Sequence, residues 1–420
     1  MIDKSIFKNI SSLFSIRIAG YLIPLITIPY LVKTLGTEGF GLMGFTLALL
    51  QYCIIAVNYG FDLNATKKVA ENSSDSQVVS TIFWNVITAK VLICIFCAML
   101  LCFLSLMITE VNDVQTLLAS GYVSVIGAAL FPQWLFQGKE QLGTVSLFRV
   151  FFQFTNIPLI FIFVNSESDL EVALFLYGLP SLAIALFSFY LIFKRQYVIY
   201  ISPTLKEVKN EMYDGWQLFL STFASSLYLN TIPVILGFVS GPTSVAIYVA
   251  ADKLYRAAQG LYTAVTGAFF PRINSLYGRS KTDAIVAINF VLRIQLLIGI
   301  IVSLFLFSYS SFLVELLFGS EFLNSVGVLK ILSILPPIIG VASVLAIQTL
   351  IVFGYKKEVS KVYFLGGILS LFISIPLSYS HDYLGAAVSV VIVELLITLK
   401  FYMLVRHRGI NVFNPAKNKV

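Results

Sequence analysis

The sequence predicts an all-α polytopic membrane protein with about twelve transmembrane helices. Hydrophobic residues make up 58% of the 420 residues and charged residues only 12%, whereas a soluble domain carries roughly 25% charged residues. The apolar segments are long and continuous and do not alternate with a period of two, which favours helices over a membrane β-barrel. Lysine and arginine are also divided unevenly between the two sides that these segments define.

Twelve segments are long enough to cross the hydrocarbon core, which takes about 20 apolar residues in a helix. The first of them runs directly into the second and lacks a small-residue cleavage site, so we interpret it as a span and not as a signal peptide. The predicted spans lie at about 10–32, 40–60, 79–108, 116–137, 142–164, 172–193, 215–239, 245–270, 284–312, 325–353, 361–379 and 384–404.

The distribution of Lys and Arg between the loops predicts how the spans are oriented in the membrane. With a cytoplasmic N-terminus, 19 Lys and Arg residues fall in segments on the inner side, and only Lys33 falls outside. This asymmetry obeys the positive-inside rule and places both termini in the cytoplasm. The net charge of +7 then reflects basic loops that face anionic headgroups, and it does not indicate nucleic-acid binding.

The two halves of the chain share a weak repeat. The segment PYLVKTLGTEGFGLMGF (29–45) and the segment PVILGFVSGPTSVAIYV (233–249) each contain a proline, a glycine-bearing outer turn and the start of a second helix. Both hairpins start on the same side, which predicts a parallel repeat of two six-helix bundles. The longest connection, 194–214, separates these lobes, so we expect an N-terminal lobe at 1–200 and a C-terminal lobe at 201–420.

Several cations fall inside the predicted spans. A charged side chain within the bilayer costs at least about 2.5 kcal/mol, so such residues normally face the bundle interior or a watery cavity. The embedded acids are only Asp252 and Glu394, and Asp252 is spaced to pair with Arg256 on one helix. The surplus of positive charge therefore predicts an anionic ligand. The cations assigned to this role are Arg17, Lys90, Arg149, Arg256, Arg293 and Lys330.

Polar residues at helical spacing extend this prediction. On the fifth span, Ser146, Arg149, Gln153 and Asn156 form one continuous stripe, and shorter stripes follow on the seventh, eighth and ninth spans. We expect these stripes to line one cavity. The uncharged residues there that could contact a ligand are Gln153, Asn156, Tyr228 and Asn289. The Cys94–Cys97 pair lies in an apolar run without a nearby histidine, so we expect a packing role and no metal or cofactor.

Four segments carry a family resemblance: PYLVKTLGTEGFG (29–41), NYGFDLNATKKVA (58–70), FPQWLFQGKEQL (131–142) and YVAADKLYRAAQGL (248–261). They resemble the Wzx O-antigen repeat-unit flippases, which are polysaccharide transporters of the multidrug/oligosaccharidyl-lipid/polysaccharide exporter superfamily. The resemblance extends over essentially the whole chain.

That resemblance implies a flippase of the bacterial inner membrane that serves lipopolysaccharide biosynthesis. Its substrate would be an undecaprenyl-diphosphate-linked oligosaccharide, moved from the cytoplasmic to the periplasmic leaflet by alternating access. It further implies coupling to a proton or sodium gradient, for which we assign Asp252 and Glu394, and an O-antigen polymerase and a chain-length regulator as partners alongside membrane lipids.

Two other functions are weighed against this one. A multidrug or cation antiporter of the same superfamily would favour buried acids, whereas buried bases outnumber them here. A polytopic polysaccharide polymerase or lipid-dependent glycosyltransferase would need a sizeable outer loop, and the predicted outer loops are short. The sequence contains no GxSxG, HExxH or P-loop motif at a plausible position.

Overall fold

The computed structural model describes the backbone of residues 4–412. Side chains are described over 26–412, apart from residues 221, 225, 228, 229, 261–265 and 268. Within these limits the regular elements are helical, as the sequence predicted.

The N-terminal half consists of helices that run back and forth, several of them interrupted at glycine or proline. They are α1 (Lys4–Asn58), α2 (Phe61–Glu71), α3 (Ser76–Met107), α4 (Thr109–Asn112), α5 (Gln115–Gly121), α6 (Val123–Leu130), α7 (Gln133–Gly138), α8 (Leu142–Phe163) and α9 (Leu170–Lys194).

The C-terminal half follows the same plan. Its elements are α10 (Leu205–Asn230), α11 (Ile232–Val239), α12 (Pro242–Arg279), α13 (Lys281–Ser308), α14 (Ser310–Phe318), α15 (Ser325–Leu332), α16 (Leu335–Ser343), a π-helical segment (Val344–Ile351) and α17 (Lys356–His407).

Eight stretches of the described residues are long and apolar enough to cross a membrane. Two of these stretches belong to helices that cross twice. Ile26–Glu71 holds the end of the first crossing of α1, which turns at Gly36, and the whole of the second, and Lys356–His407 holds two crossings because α17 turns at His381 and Asp382. The remaining long helical segments, α10 with α11 and then α12, bring the total to about twelve. The predicted all-α architecture of two six-helix bundles is thereby confirmed.

The exterior of the helices is apolar, as a lipid solvent requires. On α3, the side chains of Phe96, Met99 and Phe103 are more than half exposed, whereas Lys90 on the same helix is 1% exposed. In water, this exterior would be a large continuous apolar surface, which soluble monomers avoid. The exterior therefore suits lipid and not water. The polar side chains that remain are therefore concentrated inside the bundle.

The repeat is visible in the backbone of the two outer turns. Gly36 has φ 68° and ψ 178°, and Gly241, at the matching turn of the second half, has φ 85° and ψ 178°. Only glycine adopts a positive φ of this kind without strain. The same sharp turn between the first two helices of each half thus supports the parallel repeat.

Helices inside the N-terminal half pack closely through small residues. A Cβ atom on Gly178 of α9 would lie 2.6 Å from the backbone nitrogen of Ser124, and one on Gly127 of α6 would lie 2.5 Å from the carbonyl carbon of Ser181. Small residues let two membrane helices approach until their backbones touch.

The chain divides into two compact units, Met1–Phe223 and Ala224–Val420, whereas the sequence placed the division at 200/201. The first part of α10 belongs to the N-terminal unit because it is tied there by ion pairs and ring contacts. Lys68 of α2 contacts Glu211 at 2.9 Å and Asp214 at 2.8 Å, and the Tyr59 ring stacks on Phe219 with centroids 4.6 Å apart.

Candidate functional site

The N-terminal unit contains a helix break at Phe131 and Pro132, between α6 and α7. Pro132 has no backbone N–H, and the amide of Leu135 donates to the carbonyl of Pro132 instead of that of Phe131. The Phe131 carbonyl therefore lies inside a membrane span without its usual helical partner, and such a group needs another donor.

Lys90 supplies that donor. Its Nζ donates to the Phe131 carbonyl oxygen at 3.4 Å, and the side chain is 1% exposed on the inner face of α3. One long hydrogen bond leaves most of the capacity of an ammonium group unused, because the group carries three donors. Lys90 is thus a buried cation that is held at the break.

Arg149 of α8 approaches the same break. Its Nη1 donates to Oε1 of Gln133 at 3.3 Å, and its guanidinium lies over the Phe131 ring at 5.7 Å from the ring centroid. Stacking on an aromatic ring orients a guanidinium and leaves its other N–H groups free to bind a planar or tetrahedral anion. Two cations therefore converge on residues 131–133, which we call the break site.

Within the described residues, no carboxylate lies at ion-pair distance from Lys90 or Arg149. The nearest acidic influence is Asp62, whose charge acts on both cations from the first turn of α2. One acid shared at longer range leaves the break site with a net positive charge. A buried net charge is costly unless it is paired, which favours an anionic ligand at this position.

The polar stripe of α8 faces the interior, while the apolar side chains of Leu147 and Phe151 face outward. Asn156 donates from Nδ2 to the Leu176 carbonyl at 2.8 Å. Several buried polar atoms in this unit lack a partner among the described residues. They are Asn64 Nδ2, Asn85 Oδ1, Trp134 Nε1, Ser146 Oγ, Gln153 Oε1 and Asn156 Oδ1.

The C-terminal unit holds the predicted intrahelical ion pair. Nε of Arg256 lies 2.6 Å from Oδ2 of Asp252, and the two side chains are 40% and 12% exposed. Arg256 is thus a neutralised and half-exposed cation, unlike Lys90. The pair lies on α12 beside the buried rings of Tyr248 and Tyr255.

Glu394 lies deep in the C-terminal unit on the last crossing of α17. Its side chain is 3% exposed, and Oε2 forms no hydrogen bond to any group in the described part of the chain. Thr398, one turn further along, has a similarly unpartnered Oγ1. An ionisable group buried inside a membrane span is costly and marks a candidate functional position.

Other residues predicted for the site have varied surroundings. Asn289 donates from Nδ2 to the Val412 carbonyl at 2.7 Å, so this amide holds the segment that follows α17 against α13. Arg293 and Lys330 are exposed, and Nζ of Lys330 lies 5.6 Å from the centroid of the Phe307 ring. The side chains of Arg17 and Tyr228 lie outside the described residues. That the stripes of both halves meet in one cavity stays a prediction.

Sequence reasoning missed the partners of the cations. Asp62 and Gln133 are not among the residues that the sequence analysis assigns to the site. A signal for Gln133 is present in the sequence, since a proline in mid-span frees backbone groups that nearby polar side chains must satisfy. The sequence gives no sign of the ion-pair cluster of Lys68, Glu211 and Asp214, because Lys68 lies more than 140 residues before both acids.

The fold and the charged interior define the class of protein. This is a polytopic helical membrane protein whose fold is similar to that of solved membrane transporters. It resembles the solved structure titled "Lipid II flippase MurJ, inward closed conformation", with a TM-score of 0.74 and 16% identity, over 96% of this chain and 87% of the other. It also resembles an inward-facing multidrug resistance MATE family transporter, with a TM-score of 0.71 and 15% identity, over 95% and 99% of the two chains.

Sequence comparison gives the family. Residues 6–277 match the family described as "Polysaccharide biosynthesis protein". A protein of Escherichia coli (strain K12), named as a candidate O-antigen transporter, is 36% identical over 408 residues that span 97% of this chain and 98% of the relative. The chain belongs to the polysaccharide biosynthesis protein family.

Proposed function

We propose that this protein is a flippase that moves undecaprenyl-diphosphate-linked O-antigen repeat units from the cytoplasmic to the periplasmic leaflet by alternating access. The observation that carries the proposal is the break site, where Lys90 and Arg149 lie inside the membrane-spanning bundle and no carboxylate in the described part of the chain pairs with either. The names of the relatives support the cargo, since they include candidate O-antigen transporters and a lipid II flippase.

The chemistry of the break site suits a diphosphate. A diphosphate carries about two negative charges, which one ammonium and one guanidinium group match in number, and charge-assisted hydrogen bonds to phosphate are among the strongest in proteins. The guanidinium is already oriented by the Phe131 ring, so little conformational freedom is lost when it binds. A neutral lipid would gain nothing from these two charges.

The path of the headgroup would use the remaining cations. Arg17, Arg149 and Arg293 attract the diphosphate on the inner side, Lys90 and Arg256 hold it at mid-depth, and Lys330 receives it toward the outer side. The sugar contacts Gln153, Asn156, Tyr228 and Asn289. The buried and unpartnered amide oxygens of Gln153 and Asn156 are suited to accept hydrogen bonds from sugar hydroxyls.

Ion coupling would use the two acids of the C-terminal unit. Asp252 is bound to Arg256, so a coupling ion that binds this carboxylate would release Arg256. Oε2 of Glu394 has no partner among the described residues, so a coupling ion could be bound and released there as the lobes move. The protein requires no cofactor in this mechanism, because the energy comes from a proton or sodium gradient.

The proposal also assigns the protein's membrane, its orientation there and its partner proteins. The basic connections face the cytoplasm, both termini are cytoplasmic, and the protein lies in the bacterial inner membrane, where an O-antigen polymerase and a chain-length regulator would receive the product. Unpaired buried cations argue against export of cationic drugs. An enzymatic role in polymerisation is disfavoured, because the relatives are named as transporters.

The experiment is complementation of a bacterial strain that lacks its own O-antigen flippase. Arg149→Ala and Arg256→Ala should each abolish O-antigen display at the cell surface while membrane protein levels stay near those of the unaltered chain. Lys67→Ala, which changes an exposed cation outside the break site, should display normally. Full display in both arginine variants would remove these residues from the mechanism.

A further inference from the structure

The C-terminal unit carries a groove that the proposed transport pathway does not use. It lies between α12 and α13 and has a volume of about 350 Å³, at the lower end of the range for ligand pockets. Its walls are two matching helix faces, each spaced i, i+3, i+4 and i+7. They consist of Phe269, Arg272, Ile273 and Leu276 on α12, and of Asp283, Val286, Ala287 and Phe290 on α13.

The groove runs inward from the turn at Ser280, which joins the two helices. Each wall covers seven residues, or about 10 Å of helix. The rings of Phe269 and Phe290 meet edge to face at its far end, with centroids 6.3 Å apart. Val286 and Phe290 are 51% and 56% exposed, so this wall faces the surroundings of the helices, which in a membrane are lipid.

Positive charge lines the turn and the wall that leads inward from it. Arg279 and Lys281 are exposed at the turn, Arg272 is exposed two helical turns further in, and Asp283 is the acid that opposes them. The N-terminus of α13 opens at the same place, with the Asp283 amide donating to Oγ of Ser280. A surface with basic groups at one end and aromatic and aliphatic groups at the other matches a phosphate joined to a hydrocarbon chain.

The distance of Arg272 from the turn is consistent with a phosphate bound at this residue. It lies seven residues before the end of α12 at Arg279, about 10 Å below the turn. That depth corresponds to the boundary between headgroups and acyl chains when the turn stands at the membrane surface, since each headgroup layer is several ångströms thick. An arginine at this boundary would meet lipid phosphates.

We propose that the groove between α12 and α13 binds an anionic phospholipid, with its phosphate at Arg272 and an acyl chain along Ile273, Ala287 and the two phenylalanine rings. The inference depends on the proposed function only for placing this turn at the cytoplasmic surface. Lipid bound here would stabilise the helical hairpin that follows the Asp252–Arg256 pair on α12.

The test is native mass spectrometry of the purified chain in mild detergent, with phosphatidylglycerol and, separately, phosphatidylcholine. The unaltered protein should retain phosphatidylglycerol in preference to phosphatidylcholine. Arg272→Gln should lower phosphatidylglycerol retention about tenfold, as loss of one charge-assisted hydrogen bond predicts, and Arg272→Lys should restore part of it. Arg406→Gln, which neutralises another exposed arginine, should retain lipid normally.

A second variant tests the apolar part of the groove. Ala287→Phe fills the space between the walls and should block the acyl chain while Arg272 stays in place, whereas Ala119→Phe at an exposed site on α5 should have no effect. Ala287→Leu serves the same purpose if the larger ring prevents folding.

The proposal is overturned if the Arg272 and Ala287 variants retain phosphatidylglycerol as the unaltered protein does, or if that protein binds both lipids equally. Because retention is measured without transport, its failure leaves the O-antigen display experiment unaffected.

Discussion

At the residue scale, two cations differ in a way that decides their roles. Arg256 has a carboxylate 2.6 Å away on its own helix, while Lys90 is held by one backbone carbonyl at 3.4 Å. A cation that already has an anionic partner gains less from a phosphate than one that lacks it. We therefore place the tightest contact with the diphosphate at the break site and a weaker contact at Arg256.

Glu394 allows a test of coupling at the same scale. Glu394→Gln keeps the shape of the side chain and removes its titration, so gradient-driven flipping in proteoliposomes should fall at least tenfold, while binding of the lipid-linked substrate stays unchanged. Glu110→Gln, at an exposed acid, is the control. Gradient-driven flipping by the Glu394 variant at the normal rate would exclude this residue from coupling.

At the element scale, backbone breaks and close helix contacts shape the bundle. Pro132 interrupts the span formed by α5, α6 and α7, and the freed carbonyl fixes a lysine from α3. The sequence could predict this break, because proline in mid-span has a known effect. It could not predict that Lys90 and Arg149 both reach this break, since that depends on how α3, α7 and α8 pack against one another.

The junction between α2 and α10 gives a stability prediction. Lys68→Met leaves Glu211, which is 8% exposed, without its partner. We expect a loss of roughly 1.5–3 kcal/mol, the value of a hydrogen bond to a charged group, measured as a lower thermal unfolding midpoint in detergent.

The neighbouring lysine provides a matched control for that measurement. The side chain of Lys67 is 75% exposed and lies 3.8 Å from Glu71, and such surface pairs contribute at most about 1 kcal/mol. Lys67→Met should therefore leave the midpoint almost unchanged. Equal midpoints for the two methionine variants would show that the Lys68 cluster does not stabilise the junction.

The contact between α6 and α9 gives a second stability prediction. Gly178→Ala places a Cβ atom 2.6 Å from a backbone nitrogen that cannot move freely, so we expect a loss of about 1–3 kcal/mol from overpacking. Gly267→Ala, where nothing lies within 4 Å, should be neutral or slightly stabilising. Thermal unfolding of both variants distinguishes a close helix contact from a general effect of glycine replacement.

At the scale of the whole molecule, the architecture could be predicted almost entirely from the sequence. Hydropathy defines the spans, charge asymmetry predicts their direction, and the paired turns at Gly36 and Gly241 indicate the repeat. The functional residues were harder to predict, because hydropathy gives the depth of a charged residue but not which way it faces. Lys90 and Lys330 both fall inside predicted spans, yet one is 1% exposed and the other lies on the surface beside Phe307.

Equilibrium binding of undecaprenyl diphosphate to the purified protein, compared with undecaprenyl alcohol, tests directly whether the break site holds the diphosphate. The unaltered chain should bind the diphosphate far more tightly than the alcohol. Lys90→Met and Arg149→Gln should each weaken diphosphate binding at least tenfold, about 1.4 kcal/mol, with alcohol binding unchanged. Undiminished diphosphate binding by the double variant would contradict the assignment of these two cations to the cargo.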